Sequence, residues 1–269
     1  MKDVVLLTGS TGFLGGYLVG EIRARGLVAV CAGRQDCEIG LDLGEPAGIE
    51  RALSGVKPRY TINCAAVSSL RACRTNPVLA LQVNGKGPMA LAQACGGRFL
   101  QVSTDLVFGG DEAPYRASAR TKPLSIYGMS KVEGEKIGTE TGLVVRVPLL
   151  FGRSRDGRRG ATDMLRHGLD AKEKLTLFSD EHRTPLHAAD AARGILDFLL
   201  DEAATGVRHL GGHERVSRWG LASRFCKVVG IDGSAFVEGE SEDPRRPKDV
   251  SLTGDWVPDR DLNTALADC

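Results

Sequence analysis

The chain carries almost no excess charge: 35 Lys and Arg face 34 Asp and Glu, a formal net charge of +1 over 269 residues. So balanced a surface has no global field to draw a polyanion, and neither nucleic acid nor an anionic membrane is an expected partner. No apolar run approaches membrane-spanning length, and a strand pattern begins where a secretory leader would need its own apolar segment. A cytoplasmic protein is the expectation. Cysteine is present but unorganised. Cys31, Cys37, Cys64, Cys73, Cys95, Cys226 and Cys269 are odd in number and form no C-x-x-C pair. That argues against a disulfide framework or a zinc site, and reads as small apolar side chains in a reducing compartment. His209 and His213 are four apart, but Gly211 and Gly212 between them argue against a helix presenting both to a metal. There is no internal repeat and no low-complexity tract.

What is there is an ordinary globular composition, 42% hydrophobic and 26% charged, long enough to bury a full core. Its most informative stretch comes at once. Val4-Val5-Leu6-Leu7 fits a strand buried on both faces. Gly9, Gly12 and Gly15 follow at G-x-x-G-x-x-G spacing, and Phe13, Leu14, Tyr17, Leu18 and Ile22 then recur near helical period. Strand, tight turn and helix in that order suit anion binding. Gly9 permits a twist closed to other residues, Gly12 a close backbone approach to a ligand, and Gly15 tight packing of the helix. Backbone N–H groups and the positive end of the helix dipole would then face a diphosphate.

The rhythm continues. Leu27 to Ala32 reads as a second strand ending at Gly33-Arg34, about 20 residues past Gly12, where such folds meet the adenosine ribose. A basic residue there accommodates a 2′-phosphate, so Arg34 favours NADPH over NADH, which stays open. Asp42-Leu43 follows a short loop and suits the flank of an adenine ring. Pro46 to Leu53 reads as a helix, Arg59 to Asn63 as the third strand, and the small residues Cys64-Ala65-Ala66 come after it. A long helix fits Pro77 to Cys95, with a kink or break near Asn84 from Gly85, Gly87 and Pro88. Phe99 to Val102 is the next strand, followed by Ser103-Thr104-Asp105. Residues 109–125 read as loop, Ser125 opens a helix to about Ile137, and Leu143 to Val147 is a further strand. Beyond it come an arginine-rich mobile loop (Phe151 to Gly160), a helix and the strand Leu175 to Phe178. The amphipathic helix Ala188 to Leu200 then leads to Gly206–Leu210, which returns to the main sheet. The expected fold is α/β: a Rossmann-type doubly wound parallel sheet over residues 1–148, and a smaller C-terminal substrate lobe over 149–269, with about 188–210 rejoining the sheet.

Tyr127 and Lys131 are four apart on one helix, so they share a face. A tyrosine near its reference pKa of about 10 is a poor acid–base group at neutral pH, and a neighbouring ammonium favours its phenolate. Bringing it to neutrality takes about 4 kcal/mol of differential interaction. Thr104, at a strand's C-terminal end, stands where ligands of such sheets bind and could hold a substrate carbonyl beside Tyr127.

With these residues in place, the chain resembles the extended short-chain dehydrogenase/reductase superfamily, and within it the dTDP-4-dehydrorhamnose reductase-like family. The resemblance rests on TGSTGFLG at 8–15, NCAA at 63–66, VSTDLVFGG at 102–110, PLSIYGMSK at 123–131, RVPLLFG at 146–152, HRTPLHAADAARGI at 182–195 and RRPKDVSL at 245–252. It implies Thr104, Tyr127 and Lys131 as a catalytic trio. It implies Gly9, Thr11, Gly12, Phe13, Leu14, Gly15, Arg34, Asp42, Leu43, Ala65, Ala66, Asn84, Tyr127 and Lys131 around the cofactor, with Pro148 and Leu149 by the nicotinamide. Asp105, Arg159 and Arg246 are the substrate-side candidates, and a nucleotide-sugar is the implied small-molecule substrate. By resemblance alone, a homodimer through the helices holding Asn84 and Tyr127 is expected. Activity would be NADPH-dependent hydride transfer to a ketone.

Two departures fall on the substrate side. Ala117 stands where the reductases usually carry a glutamate after Pro114-Tyr115, and Arg159-Gly160 where they carry Asn-Phe. A sugar-nucleotide epimerase or 4,6-dehydratase with retained NAD(P) is the first alternative, although Leu106 after Thr104-Asp105 leaves the dehydratase's acid–base pair incomplete. A non-catalytic NADP-binding subunit, similar to the beta subunit of methionine adenosyltransferase, is the second.

Overall fold

A computed structural model describes residues 2–139, 142–171 and 174–269. The apolar run at the start forms β1 (Val4–Thr8), and the glycine turn leads into α1 (Phe13–Ala24). Then come β2 (Val28–Gly33), the two-residue β3 (Ile39–Gly40), α2 (Pro46–Ala52), β4 (Tyr60–Asn63) and α3 (Leu70–Thr75). The expected long helix is divided. α4 (Pro77–Leu81) passes into a π-helical turn over Gln82–Lys86 and resumes as α5 (Gly87–Cys95). Pro88 supplies no N–H to the preceding turn, so the break falls where the breaker residues put it.

β5 (Arg98–Thr104) runs further than the apolar pattern suggested and includes Ser103 and Thr104. α6 (Ile126–Glu135) precedes β6 (Leu143–Val147) and β7 (Leu150–Phe151). The remainder is α7 (Ala161–Asp170), β8 (Leu175–Phe178), β9 (His182–Arg183), β10 (Leu186–His187), α8 (Ala188–Leu200), β11 (Gly206–His209), β12 (Val216–Ser217), α9 (Arg218–Val229), β13 (Phe236–Gly239) and α10 (Leu262–Ala267).

Seven strands form one sheet in the order β11-β6-β5-β4-β1-β2-β3, every pair parallel. From β1 the chain goes outward to β2 and β3, then crosses back to β4 on the other side. The crevice between β1 and β4 is therefore a topological switch point, the place where open α/β sheets bind ligands. α1 and α8 cover one face, burying Leu18, Ile22, Ile195 and Leu199 against Val5, Leu7 and Ile62. α2 and α5 cover the other, with Ile49, Leu53, Leu91 and Cys95 around Leu6 and Phe99. Both faces are covered, which is why β1 reads as an unbroken apolar run, Val4 to Leu7, rather than an alternating one.

A second core gathers Phe151, Leu165, Leu177, Leu221, Phe225, Phe236, Leu262 and Leu266 from the C-terminal segments. Three short ladders stitch it: β7 with β10, β8 with β13, and the antiparallel β9 with β12.

Candidate active site

The turn after β1 is built as its glycines demand. Gly9 sits at φ +73, and a Cβ on it would lie 2.7 Å from Ala65 N. A Cβ on Gly15 would lie 2.0 Å from Gly9 O, so the first turn of α1 rests directly on the loop carbonyl. Gly12 N closes the turn on Gly9 O at 2.9 Å. Only glycine fits these contacts without the backbone moving.

Below the turn a buried polar relay crosses the sheet. The Thr8 hydroxyl donates to Asn63 Oδ1. Asn63 Nδ2 donates to Gln101 Oε1 at 2.7 Å, and Gln101 Nε2 to Val102 O at 2.8 Å. The relay ties β1, β4 and β5 in register just under the switch point.

Thr104 ends β5. Its hydroxyl accepts from Leu106 N at 3.2 Å and donates to Asp105 Oδ1 at 3.1 Å. Ser125 caps α6 by accepting from Gly128 N at 3.1 Å, which sets Tyr127 in the first turn and Lys131 one turn on. The Thr104 hydroxyl acts on the Tyr127 phenol, and Cys64, next to the glycine turn through its N–H on Thr8 O at 3.3 Å, bears on both Tyr127 and Lys131. The trio and the glycine turn thus share one end of the sheet.

The electrostatics correct one expectation. Burial, and then the charge of Asp105, push Tyr127 above the ordinary tyrosine range, against a smaller opposing effect of Thr104. Lys131 does not depress it. The lysine is 3% exposed, its Nζ is turned onto Val102 O at 2.7 Å, and burial lowers it to about 8. Desolvation outweighs the ammonium, because a phenolate in this setting would lose its water without gaining a direct cation contact. Tyr127 is a phenol throughout the neutral range, a group with a proton to give.

Supporting residues escaped the motif reading. Glu135, one turn beyond Lys131, takes a bidentate pair from Arg146 (Nε to Oε1 2.9 Å, Nη2 to Oε2 2.7 Å) and a hydrogen bond from Ser103 Oγ at 2.5 Å. Its four-residue spacing from Lys131 was the available signal. Arg146 also lies over the Phe108 ring at 5.0 Å, and Phe108 stacks on Tyr115 at 4.1 Å.

Several expected cofactor ligands are placed differently. Asn84 is fully used by the protein: Oδ1 accepts from Val67 N (2.8 Å), and Nδ2 donates to Val67 O (3.0 Å) and Ser130 Oγ (2.9 Å). It is a positioning residue for α6. The Leu14 and Leu43 side chains belong to the two cores flanking the sheet, so only their backbone remains for a ligand. Asp42 is exposed but accepts from Gly44 N at 2.8 Å. Phe13, Ala65, Ala66 and Leu149 are half-buried, Pro148 is buried, and Thr11 is exposed. Arg34 is exposed at the end of β2, its guanidinium without a partner among the described residues.

The substrate-side candidates do not converge as expected. Arg246 is bidentate on Glu181, with Nη2 to Oε2 at 2.8 Å, and stacks over Phe178 at 5.0 Å. Its charge is already met. Arg159 turns toward the glycine turn, donating Nη1 to Thr11 O at 2.8 Å and pairing with Asp156 at 2.9 Å. The loop carrying it is tied down, with Asp163 Oδ2 accepting from Ser154 N (2.9 Å) and Arg159 N (3.2 Å). Asp105 is 4% exposed and does stay beside the trio. Its Oδ2 lies 3.4 Å from Arg183 Nε and has no hydrogen bond among the described residues.

Comparison with known proteins bears on the family and the fold. The family model described as RmlD substrate binding domain matches residues 1–254. A dTDP-4-dehydrorhamnose reductase from Streptomyces griseus is 33% identical over 240 residues, spanning 84% of this chain and 76% of the relative. The methionine adenosyltransferase 2 subunit beta of Xenopus laevis is 27% identical, over 85% of this chain and 73% of that one. Among solved structures, a dTDP-4-dehydrorhamnose reductase from Clostridium acetobutylicum superposes with a TM-score of 0.85 at 27% identity, covering 98% of this chain and 97% of the other. The chain belongs to the RmlD substrate binding domain family, a dTDP-4-dehydrorhamnose reductase-like branch of the extended short-chain dehydrogenases/reductases.

Proposed function

We propose that this chain is an NADPH-dependent reductase that delivers hydride to the ketone of a keto-deoxysugar nucleotide. The observation that carries the reading is the meeting of Thr104, Tyr127 and Lys131 with the glycine turn at the switch point of one sheet. The residues present fit the cofactor. The turn can take its tight shape, with backbone free to face a diphosphate, only because Gly9 and Gly15 lack a Cβ, and Arg34, without a partner among the described residues, suits a 2′-phosphate. Gly9, Thr11, Gly12, Phe13 and Gly15 would hold the diphosphate, Asp42 and the Leu43 backbone the adenine side, Ala65 and Ala66 the central stretch, Lys131 the ribose, and Pro148 and Leu149 the nicotinamide.

NADPH supplies the hydride; the protein supplies placement and the proton. The Thr104 hydroxyl holds the carbonyl oxygen. Tyr127, kept protonated by its burial, donates to that oxygen as negative charge develops there. Asp105 Oδ2, buried and lacking a donor, accepts from a sugar hydroxyl. The second core serves as the substrate lobe. A second copy of the chain covers Leu70, Val78, Leu79, Leu81 and Met129, exposed apolar side chains on α3, α4 and α6. Among the described residues no helix is long and apolar enough to cross a membrane, and seven free thiols suit the cytoplasm.

The test is the absorbance of reduced nicotinamide during incubation with keto-deoxysugar nucleotides. Oxidation of NADPH in step with product is the expected result. Turnover with no net oxidation would instead indicate an epimerase or dehydratase, and tight NADP binding without turnover a binding subunit.

A further inference from the structure

Beside Asp105 the antiparallel β9–β12 ladder gathers charges on one face. Val216 pairs with Arg183 and Ser217 with His182, and Arg218 N continues the pattern onto Glu181 O at 2.9 Å. Glu181, Arg183 and Arg218 therefore share a face, since alternate residues of a strand point the same way. Glu181 is 1% exposed, and both its carboxylate oxygens are taken by Arg246. Arg183 has Asp105 at 3.4 Å and donates Nη1 to His182 O at 2.7 Å. Arg218 is left over. Its guanidinium makes no hydrogen bond or ion pair with the described residues, yet the residue is half-buried. The other arginines without a side-chain partner, such as Arg34, Arg71, Arg116 and Arg155, are exposed, where water solvates them.

The local charges do not cancel: Arg183, Arg218 and Arg246 face the two carboxylates of Asp105 and Glu181. Burial and the like charges of Arg183 and Arg246 hold Arg218 below the ordinary arginine range. An arginine so placed lacks one thing, an anion, and its planar fork matches phosphate oxygens.

We propose that Arg218 is the residue that binds the diphosphate of the nucleotide-sugar, taking the place that the already neutralised Arg246 cannot fill. Asp105, hydrogen-bonded to Thr104 and 3.4 Å from Arg183, joins this charged face to the end of β5, and its charge and that of Arg183 both act on Arg218. The assignment rests on the reductase reading of the same site and names the part of the substrate that anchors it.

The experiment is calorimetric titration of the full chain, saturated with NADP, with dTDP and with UDP. Wild type binds at least one of them. Arg218→Ala weakens that binding by roughly tenfold or more, the loss of charge-assisted hydrogen bonds to phosphate, while NADPH affinity and melting temperature stay as in wild type. Arg218→Lys keeps the charge and recovers part of the affinity. Equal nucleoside-diphosphate affinity in wild type and Arg218→Ala overturns the assignment and leaves the reductase reading standing. A parallel loss of NADPH affinity also overturns it, as a general effect on the fold. Wild type binding neither nucleotide removes the assignment and the nucleotide-sugar substrate together, while NADPH-dependent reduction of another ketone would still stand.

Discussion

Removing the Glu135 carboxylate tests how the catalytic helix is held. Glu135 and Arg146 have side chains 7% and 5% exposed, and the carboxylate receives two hydrogen bonds from Arg146 and one from Ser103. In Glu135→Ala, the hydrogen bonds left to Arg146 are those of Nη1, at 3.3 Å to Ala117 O and 3.2 Å to His209 Nε2, beside its contact with the Phe108 ring. Nε and Nη2 are then buried without an acceptor. Breaking one side of such a pair costs about 3–5 kcal/mol, a large part of the roughly 5–15 kcal/mol that holds a domain folded. Denaturant titration should show the midpoint falling with an unchanged slope. Removing both charges, as in Glu135→Met with Arg146→Met, should cost much less than the single change, since no charge is stranded. A single variant within about 1 kcal/mol of wild type, or a double variant as damaged as the sum of the singles, would refute the inference. Glu135 lies one turn from Lys131, so turnover should fall with stability in the single variant and return with it in the double.

Acid stability follows from two buried histidines. His187 and His209 are 5% and 0% exposed, and burial, aided by Arg260 and Arg146 respectively, lowers each to about 4. Above the unfolded value near 6.5 both are neutral in either state and contribute no pH dependence. Below it the unfolded chain takes up protons that the native one refuses, so stability falls by about 1.4 kcal/mol per pH unit for each, down to about pH 4. Denaturation midpoints that stay flat between pH 6.5 and 4.5 would contradict this. On the cofactor side, Arg34→Ala should weaken NADPH by roughly tenfold or more and leave NADH unchanged; an equal effect on both would remove Arg34 from the 2′-phosphate.

The parts legible in the sequence were those with local causes. The glycine turn, the break near Asn84 and the Ser125-capped helix each follow from residues within a few positions of one another. The return of Gly206–His209 to the sheet beside β6 was visible because an amphipathic helix precedes it. Short elements were not: β3 is two residues, α3 six, and neither is long enough to show a period. Charge partners across long separations were equally hidden. Nothing near Arg246 announces that Glu181, 65 positions away, occupies it. The direction of the Tyr127 shift was hidden for another reason: helical spacing places Lys131 on the same face, but burial decides where its ammonium points and how much water the phenol loses.

The central claim is that Tyr127 supplies the proton while the glycine turn independently holds the dinucleotide. Its most direct measurement is steady-state turnover of Tyr127→Phe alongside the NADPH dissociation constant. Turnover should fall by about 10²–10⁴ with NADPH bound as tightly as in wild type. Turnover within a few-fold of wild type would contradict it.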